Sequence, residues 1–268
     1  MSDVVLLTGA TSGLGRWLAP RLAAAGLTVL VHGRDPAKVD RTVTEVRATG
    51  ARADGYVADL ASLAECDRLA AEVAARGDLT VLVNNAGVGF GPPGGSRELS
   101  RDGYELRWAV DYLAPVALTR GLLGTLRANA PGRIVNVGSV GQEPIDFADL
   151  QMAGGYDGVR AYRRAKLALA AWTFDLAADL DGTGVVVNCI HPASLMGTAM
   201  VHESGYPTLS TVDEGGSATL RLILDVDSTG GYYDGPRLSR AHPDAYRPEV
   251  WAALRAATEA ALNHDRRS

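Results

Sequence analysis

Short apolar runs alternating with longer stretches of helical periodicity constrain what this chain can fold into more than any single residue does. The runs fall at 3–8, 27–32, 52–57, 79–84, 132–138, 184–190 and 230–233. Helical patterns lie between them at 14–25, 36–49, 62–76, 100–129, 157–181 and 213–224. Runs that are apolar on both faces and separated by helices belong to a parallel sheet covered on both sides. The pattern therefore predicts one doubly wound α/β domain over 1–268, with a mostly parallel seven-stranded sheet. Right-handed crossovers place its ligand site at the carboxyl ends of the strands.

At 268 residues the chain is long enough for one large domain with a full core, and no linker or repeat divides it. A formal charge of −5 with no Lys/Arg tract argues against nucleic acid or an anionic membrane as the main partner. The two cysteines, Cys66 and Cys189, make neither a metal-ligand spacing nor a disulfide framework, and read as small apolar filler. No metal is expected. Met1-Ser2-Asp3 leads straight into Val4-Val5-Leu6-Leu7, without a basic leader and without an apolar stretch of about 18 residues, so no membrane span and a cytoplasmic location are expected.

Three segments break the alternation. Residues 88–99 carry Gly-Pro-Pro-Gly-Gly, residues 140–156 make an unusually long connection, and residues 191–212 hold His191-Pro192 and Gly205-Tyr206-Pro207. Loops after strand ends are where such a scaffold carries specificity, so these are the expected substrate walls and lid.

Directly after the first run comes TGATSGLG, at 8–15. Gly9, Gly13 and Gly15 there permit a tight turn and a close approach of the backbone, including that of Leu14, to a pyrophosphate at a helix N-terminus. The spacing TGxxxGxG differs from G-x-G-x-x-G. The hydroxyls of Thr11 and Ser12 can donate to phosphate, and Ser12 can also cap the helix. The second run ends His32-Gly33-Arg34-Asp35-Pro36. Asp35 before Pro36 reads as a helix N-cap, which leaves Arg34 on the adenosine side. Arginine suits a 2′-phosphate, so NADP(H) is favoured and NAD(H) remains an alternative. Asp59-Leu60 follows the third run, where a carboxylate can accept from an adenine amino group or open a helix. Asn85-Ala86-Gly87 ends the fourth, with small residues and an amide that let the chain pass beside the cofactor.

Tyr162 and Lys166 stand one helical turn apart and so leave the same face. A phenol with a pKa of about 10 is a poor acid-base catalyst unless a cation stabilises its phenolate. Of 26 basic residues only Lys38 and Lys166 are lysines. A chain that writes arginine nearly everywhere keeps lysine here.

Together, TGATSGLG, NNAG, Ser139 and Tyr162-Arg-Arg-Ala-Lys166 resemble the short-chain dehydrogenase/reductase family, a Rossmann-type fold, over nearly the whole chain. GYELRWAVDYLAPVALT at 103–119, IDFADL at 145–150, GTGVVVNCIHP at 182–192 and the late Gly231-Tyr232-Tyr233 followed by Pro243 look like its retinol-dehydrogenase and WW-domain oxidoreductase branch. The resemblance implies an oxidoreductase that interconverts a carbonyl compound and an alcohol. Tyr162 would be the general acid, Ser139 would hydrogen-bond the substrate oxygen, and Lys166 would lower the tyrosine pKa and hold the nicotinamide ribose. It also implies a homo-dimer or tetramer through the helices at 100–129 and 157–181.

Two positions depart from the family. Asp111 stands where an asparagine is usual. It can supply the same backbone carbonyl to a water relay, take a catalytic task of its own, or merely cap its helix and point away. Its charge would raise the Lys166 and Tyr162 pKa values. Pro192-Ala193 replaces the usual Pro-Gly, and Thr198 lies one place beyond the family's threonine, as a candidate nicotinamide contact. Two rival readings are a sugar-nucleotide epimerase or dehydratase on a related scaffold, and a cofactor-binding regulator that has lost catalysis. The TGxxxGxG spacing and the absence of a sizeable C-terminal substrate domain count against the first, and only Asp111 supports the second.

Overall fold

The structure is a computed structural model that describes residues 3–264; the remaining residues of the expected 1–268 domain lie outside it. Its sheet has eight strands in the order β3-β2-β1-β4-β5-β6-β7-β8. These are β1 Val4–Leu7, β2 Thr28–Gly33, β3 Ala53–Val57, β4 Val81–Asn84, β5 Gly132–Val137, β6 Val185–His191, β7 Tyr232–Asp234 and β8 Arg237–Ser239. The first seven pair in parallel, and β8 pairs antiparallel to β7. The expected count of seven is thus one short. β8 is three exposed residues at an edge, too short and too polar to announce itself.

Alternate residues of β1, β2, β4, β5 and β6 feed two cores. Leu6, Leu30, Leu82, Ile134 and Val187 pack under α3 Leu63–Ala74, α5 Ala114–Ala128 and α6 Gly158–Asp179. Val5, Leu7, Val29, Val31, Val83 and Val135 pack under α1 Gly13–Ala24, α2 Pro36–Arg47 and α8 Val212–Asp225. A period of two with apolar residues at every position is what burial on both faces demands.

Three features were not expected. The stretch 100–129 is not one helix. It holds a short α4 Leu106–Trp108, a π-helical turn Ala109–Leu113, and then α5. The lid segment folds a short α7 Ala199–Glu203. After β8, a 3₁₀ turn Pro243–Tyr246 leads into α9 Pro248–His264, which lies across α5 and α6. There Arg255 grips Asp175 with two hydrogen bonds of 2.6 and 2.7 Å, and Tyr112 meets the Thr258 hydroxyl at 2.6 Å. Among the described residues no helix is long and apolar enough to cross a membrane, and no three His, Cys, Asp or Glu side chains are grouped to hold a metal.

Strand order reverses between β1 and β4, which puts a crevice at their carboxyl ends. The two glycine-containing motifs end there.

Candidate active site and cofactor cleft

The turn after β1 is built from contacts between its own motif and the one after β4. Thr8 Oγ1 accepts from Asn85 N (2.9 Å) and Ala86 N (3.0 Å), while Asn85 Nδ2 donates to Thr8 O (2.7 Å) and Gly9 O (3.3 Å). Asn85 therefore acts by tying the two turns together. Gly9 has φ +64°, and a Cβ there would stand 2.8 Å from Ala86 Cα. A Cβ on Gly15 would collide with the Gly9 carbonyl. Gly13, at φ +47°, faces Thr198 Cγ2, so Thr198 does reach the glycine turn. Leu14 anchors α1 in the core, and Pro192 is buried at the end of β6.

Ser12 occupies the N-cap of α1, yet its side chain makes no capping hydrogen bond. Its hydroxyl is exposed at the N-terminus of α1, where the first N–H groups have no intrahelical acceptor. Arg34 is exposed, with no carboxylate or hydrogen-bond partner among the described residues. Asp35 caps α2 by accepting from Ala37 N and Lys38 N, as its place before proline implies. Asp59 is half-buried; its Oδ1 accepts from Ala61 N at 3.1 Å and its Oδ2 lies 3.6 Å from Arg101. Asp59 thus braces the turn before α3, but the cap of that helix is Ser62, so Asp59 does not itself open the helix. The Leu60 side chain points into the core, which leaves only its backbone toward the crevice. A helix start without a side-chain cap, glycines that let the two turns pack closely against each other, and a guanidinium at the tip of β2 with no partner among the described residues fit a dinucleotide with a phosphorylated adenosine ribose.

His32 was not singled out by sequence. Its Nδ1 accepts from Gly9 N (3.3 Å) and its Nε2 lies 3.1 Å from Ala58 O. Accepting at one nitrogen and donating at the other requires the neutral ring, and burial pushes its pKa down to about 4.

Tyr162, Lys166 and Ser139 come together at the ends of β5 and α6. Lys166 Nζ donates to Val137 O (3.0 Å) and lies 5.5 Å from the Tyr162 ring centre. Ser139 Oγ accepts from Gly141 N (3.0 Å) and lies close enough to the Tyr162 hydroxyl to pull its pKa down. The Ser139 carbonyl is held by Tyr232 Oη (2.9 Å) and Gln142 Nε2 (2.7 Å), so β7 fixes the serine from below. Beneath the site, Asn84 Nδ2 donates to Asn136 Oδ1 (2.8 Å) and Asn136 Nδ2 to Thr173 Oγ1 (2.9 Å).

Asp111 sits in the π-helical turn, fully buried, and points toward the site. Its Oδ1 accepts from Val88 N (2.8 Å) and lies 4.0 Å from Lys166 Nζ, and its Oδ2 has no partner among the described residues. The reading in which it points away is excluded. Burial raises its carboxyl to about 6, against the opposing pull of Lys166 and the Val88 N–H. Burial also raises the Tyr162 phenol; Lys166 and Ser139 work against this and Asp111 reinforces it. For Lys166, burial pulls downward, but Asp111 and Tyr162 outweigh it and hold the ammonium above its ordinary value.

The profile of the short chain dehydrogenase family matches residues 3–207. This chain belongs to the short-chain dehydrogenase/reductase family. It is an NAD(P)-dependent oxidoreductase of the retinol-dehydrogenase branch. Mouse (Mus musculus) retinol dehydrogenase 14 is 35% identical over 263 residues, which cover 86% of this chain and 77% of that one. An uncharacterised protein of Mycobacterium paratuberculosis superposes with a TM-score of 0.82 at 26% identity, covering 97% of this chain and 93% of that one. The Pseudomonas aeruginosa RhlG/NADP complex does so with 0.71 at 27% identity, covering 87% and 94%.

Proposed function

We propose that this short-chain dehydrogenase/reductase interconverts a ketone or aldehyde and an alcohol with NADP(H), through Tyr162 as general acid and base. The observation that carries the reading is the convergence of Ser139, Tyr162 and Lys166 beside the glycine cradle. When bound, the nicotinamide supplies or accepts the hydride. The RhlG neighbour was crystallised with NADP, and Arg34, exposed and without a partner among the described residues, supports the same choice for this chain.

Gly9, Thr11, Ser12, Gly13 and Gly15 would hold the pyrophosphate with the Leu14 backbone, and Arg34 the 2′-phosphate. Asp59 and the Leu60 backbone would flank the adenine. Ala86, Gly87, Pro192 and Thr198 would border the nicotinamide half. Reduction builds an alkoxide that needs a donor and a proton. Ser139 Oγ donates to that oxygen and Tyr162 Oη gives up its proton. A phenol held above its ordinary pKa is fully protonated at neutral pH, which suits the acid role in reduction. Lys166 lowers the cost of the phenolate left behind.

Segments 88–99, 140–156 and 191–212 would form the substrate walls and lid. A cytoplasmic, ketoreductase-type enzyme that assembles through the α5 and α6 region would meet α9 on that face. A panel of carbonyl compounds and alcohols, read as NADPH absorbance, tests the reading. Turnover of at least one substrate is expected. NADPH binding without turnover across a broad panel would favour the cofactor-binding regulator.

A further inference from the structure

The tripeptide Gly89-Phe90-Gly91 is held on several sides, and it holds an aromatic ring against the Tyr162 side chain. The Gly89 carbonyl accepts from Arg107 Nε at 2.9 Å. That arginine is itself only 4% exposed in its side chain and is ion-paired to Glu98 and Glu105. Met200 of α7 packs where a Gly89 side chain would stand, with its Cγ only 2.5 Å from that Cβ position. The Phe90 carbonyl passes through the space left by the missing side chain of Gly158, at the start of α6. Gly91 has φ +75° and lies against Arg107 Nη2. A backbone fixed in this way gives the ring of Phe90 little freedom beyond rotation about its own bonds.

That ring stands edge-on to Tyr162, with centroids 4.6 Å apart and planes at 83°. On its other side it meets Tyr206 in the same manner, at 5.6 Å and 78°. Rings this close are in contact, so no substrate atom fits between Phe90 and Tyr162. A molecule whose oxygen is to reach the Tyr162 hydroxyl approaches a ring that Phe90 already covers on one side. The surrounding rim is apolar: Val140 is 58% exposed, Tyr206 46% and Met200 36%.

We propose that Phe90 is a specificity-determining residue of this site, a fixed ring that admits carbonyl compounds with one slim flank, hydrogen or methyl, on a flat apolar body and rejects those branched beside the carbonyl. The inference rests on Tyr162 as the group that meets the carbonyl oxygen. It differs from a flexible apolar mouth, which would adapt to branching, because the tripeptide cannot retreat without displacing Arg107, Met200 or α6. It also gives the glycines at 89, 91 and 158 a common purpose.

The test compares acetophenone with isobutyrophenone, which differ only in replacing a methyl flank by an isopropyl one. The wild type should favour acetophenone in kcat/KM by at least about tenfold, the scale of discrimination a packed apolar pocket gives for such a change. Phe90→Ala should bring the ratio below about threefold, chiefly by lowering KM for the branched ketone, with NADPH affinity unchanged. Phe90→Leu, which preserves more of the packing, should give an intermediate ratio and guards against a folding defect in the alanine variant. Binding of both ketones to the Tyr162→Phe protein with NADP⁺, followed by ligand-observed NMR, reads the same preference without chemistry. If the wild type turned over neither ketone but the binding preference were present and vanished with Phe90→Ala, the Phe90 assignment would stand and the catalytic reading would fall. Equal binding or turnover of the two ketones by wild type, or a ratio unchanged in both Phe90 variants, would overturn it.

Discussion

The Asp111 carboxylate lies 4.0 Å from the Lys166 ammonium, and neither group is open to solvent. The π-helical turn aims this side chain inward, and its Oδ1 also secures Val88 N, the first residue of the loop that carries Phe90. One carboxylate thus touches the electrostatics of the proton donor and the position of a substrate wall. π-turns of this kind recur at functional sites, where an extra residue redirects a side chain.

Replacing Asp111 with Asn keeps an oxygen for Val88 N and the backbone carbonyl for a water relay, and removes one negative charge. Asp111 raises both Tyr162 and Lys166, so its loss lowers the tyrosine pKa. The phenolate needed for alcohol oxidation then forms at lower pH. The pH–rate profile of oxidation in Asp111→Asn should shift to lower pH, with the plateau rate changed by less than about tenfold, or roughly 1.4 kcal/mol of barrier. A larger loss would assign the carboxylate a task of its own, and an upward shift would contradict the electrostatic argument.

Arg34 bears on cofactor choice. Its guanidinium is exposed at the tip of β2 with no partner among the described residues, so a 2′-phosphate gains a charge-assisted contact there without breaking one of theirs. Arg34→Ala should weaken NADPH by about 10- to 100-fold and NADH by less than about threefold. Titration of each reduced nucleotide by protein fluorescence measures this. Equal affinity of the wild type for both would remove the basis for it.

His32 couples the glycine turn to acid stability. Its folded pKa of about 4 lies below the ordinary 6.5, so between these values the unfolded chain binds the extra proton. Stability from this group is fully present above about pH 6.5 and is lost as pH falls toward 4, up to roughly 3 kcal/mol. Protonation at Nδ1 also removes the acceptor for Gly9 N. Urea unfolding at pH 7 and pH 4.5 should show a smaller drop for His32→Gln than for the wild type. The variant should also bind NADPH more weakly at pH 7. A drop of the same size in both proteins would place the acid sensitivity elsewhere.

Much of this was legible in the chain because periodicity and chemistry coincide. Double-faced apolar runs located seven strands, Asp35-Pro36 marked a helix start, and the Tyr162/Lys166 spacing required one face. What escaped notice is what long-range packing decides. The π-turn at Ala109–Leu113 leaves no pattern, since its cause is the fit of Asp111 against Val88 and Lys166. His32 looked like a strand-end residue, and only the neighbouring Gly9 N–H and Ala58 carbonyl define its role. Phe90 lay inside a segment read as a loop, although it was the one aromatic between the glycines there. For α9 a signal did exist: Pro248-Glu249 opens the helix, and Leu254, Thr258 and Ala261 follow at helical spacing on the buried side.

If Tyr162 supplies the proton, Tyr162→Phe measured in a single turnover with NADPH and the best carbonyl substrate will show it. The ring and its contact with Phe90 survive this change, and only the transferable proton is lost. Hydride transfer should slow by at least about 1,000-fold, or roughly 4 kcal/mol of barrier, while NADPH affinity stays within about threefold of wild type. Near wild-type turnover by the phenylalanine variant would contradict it.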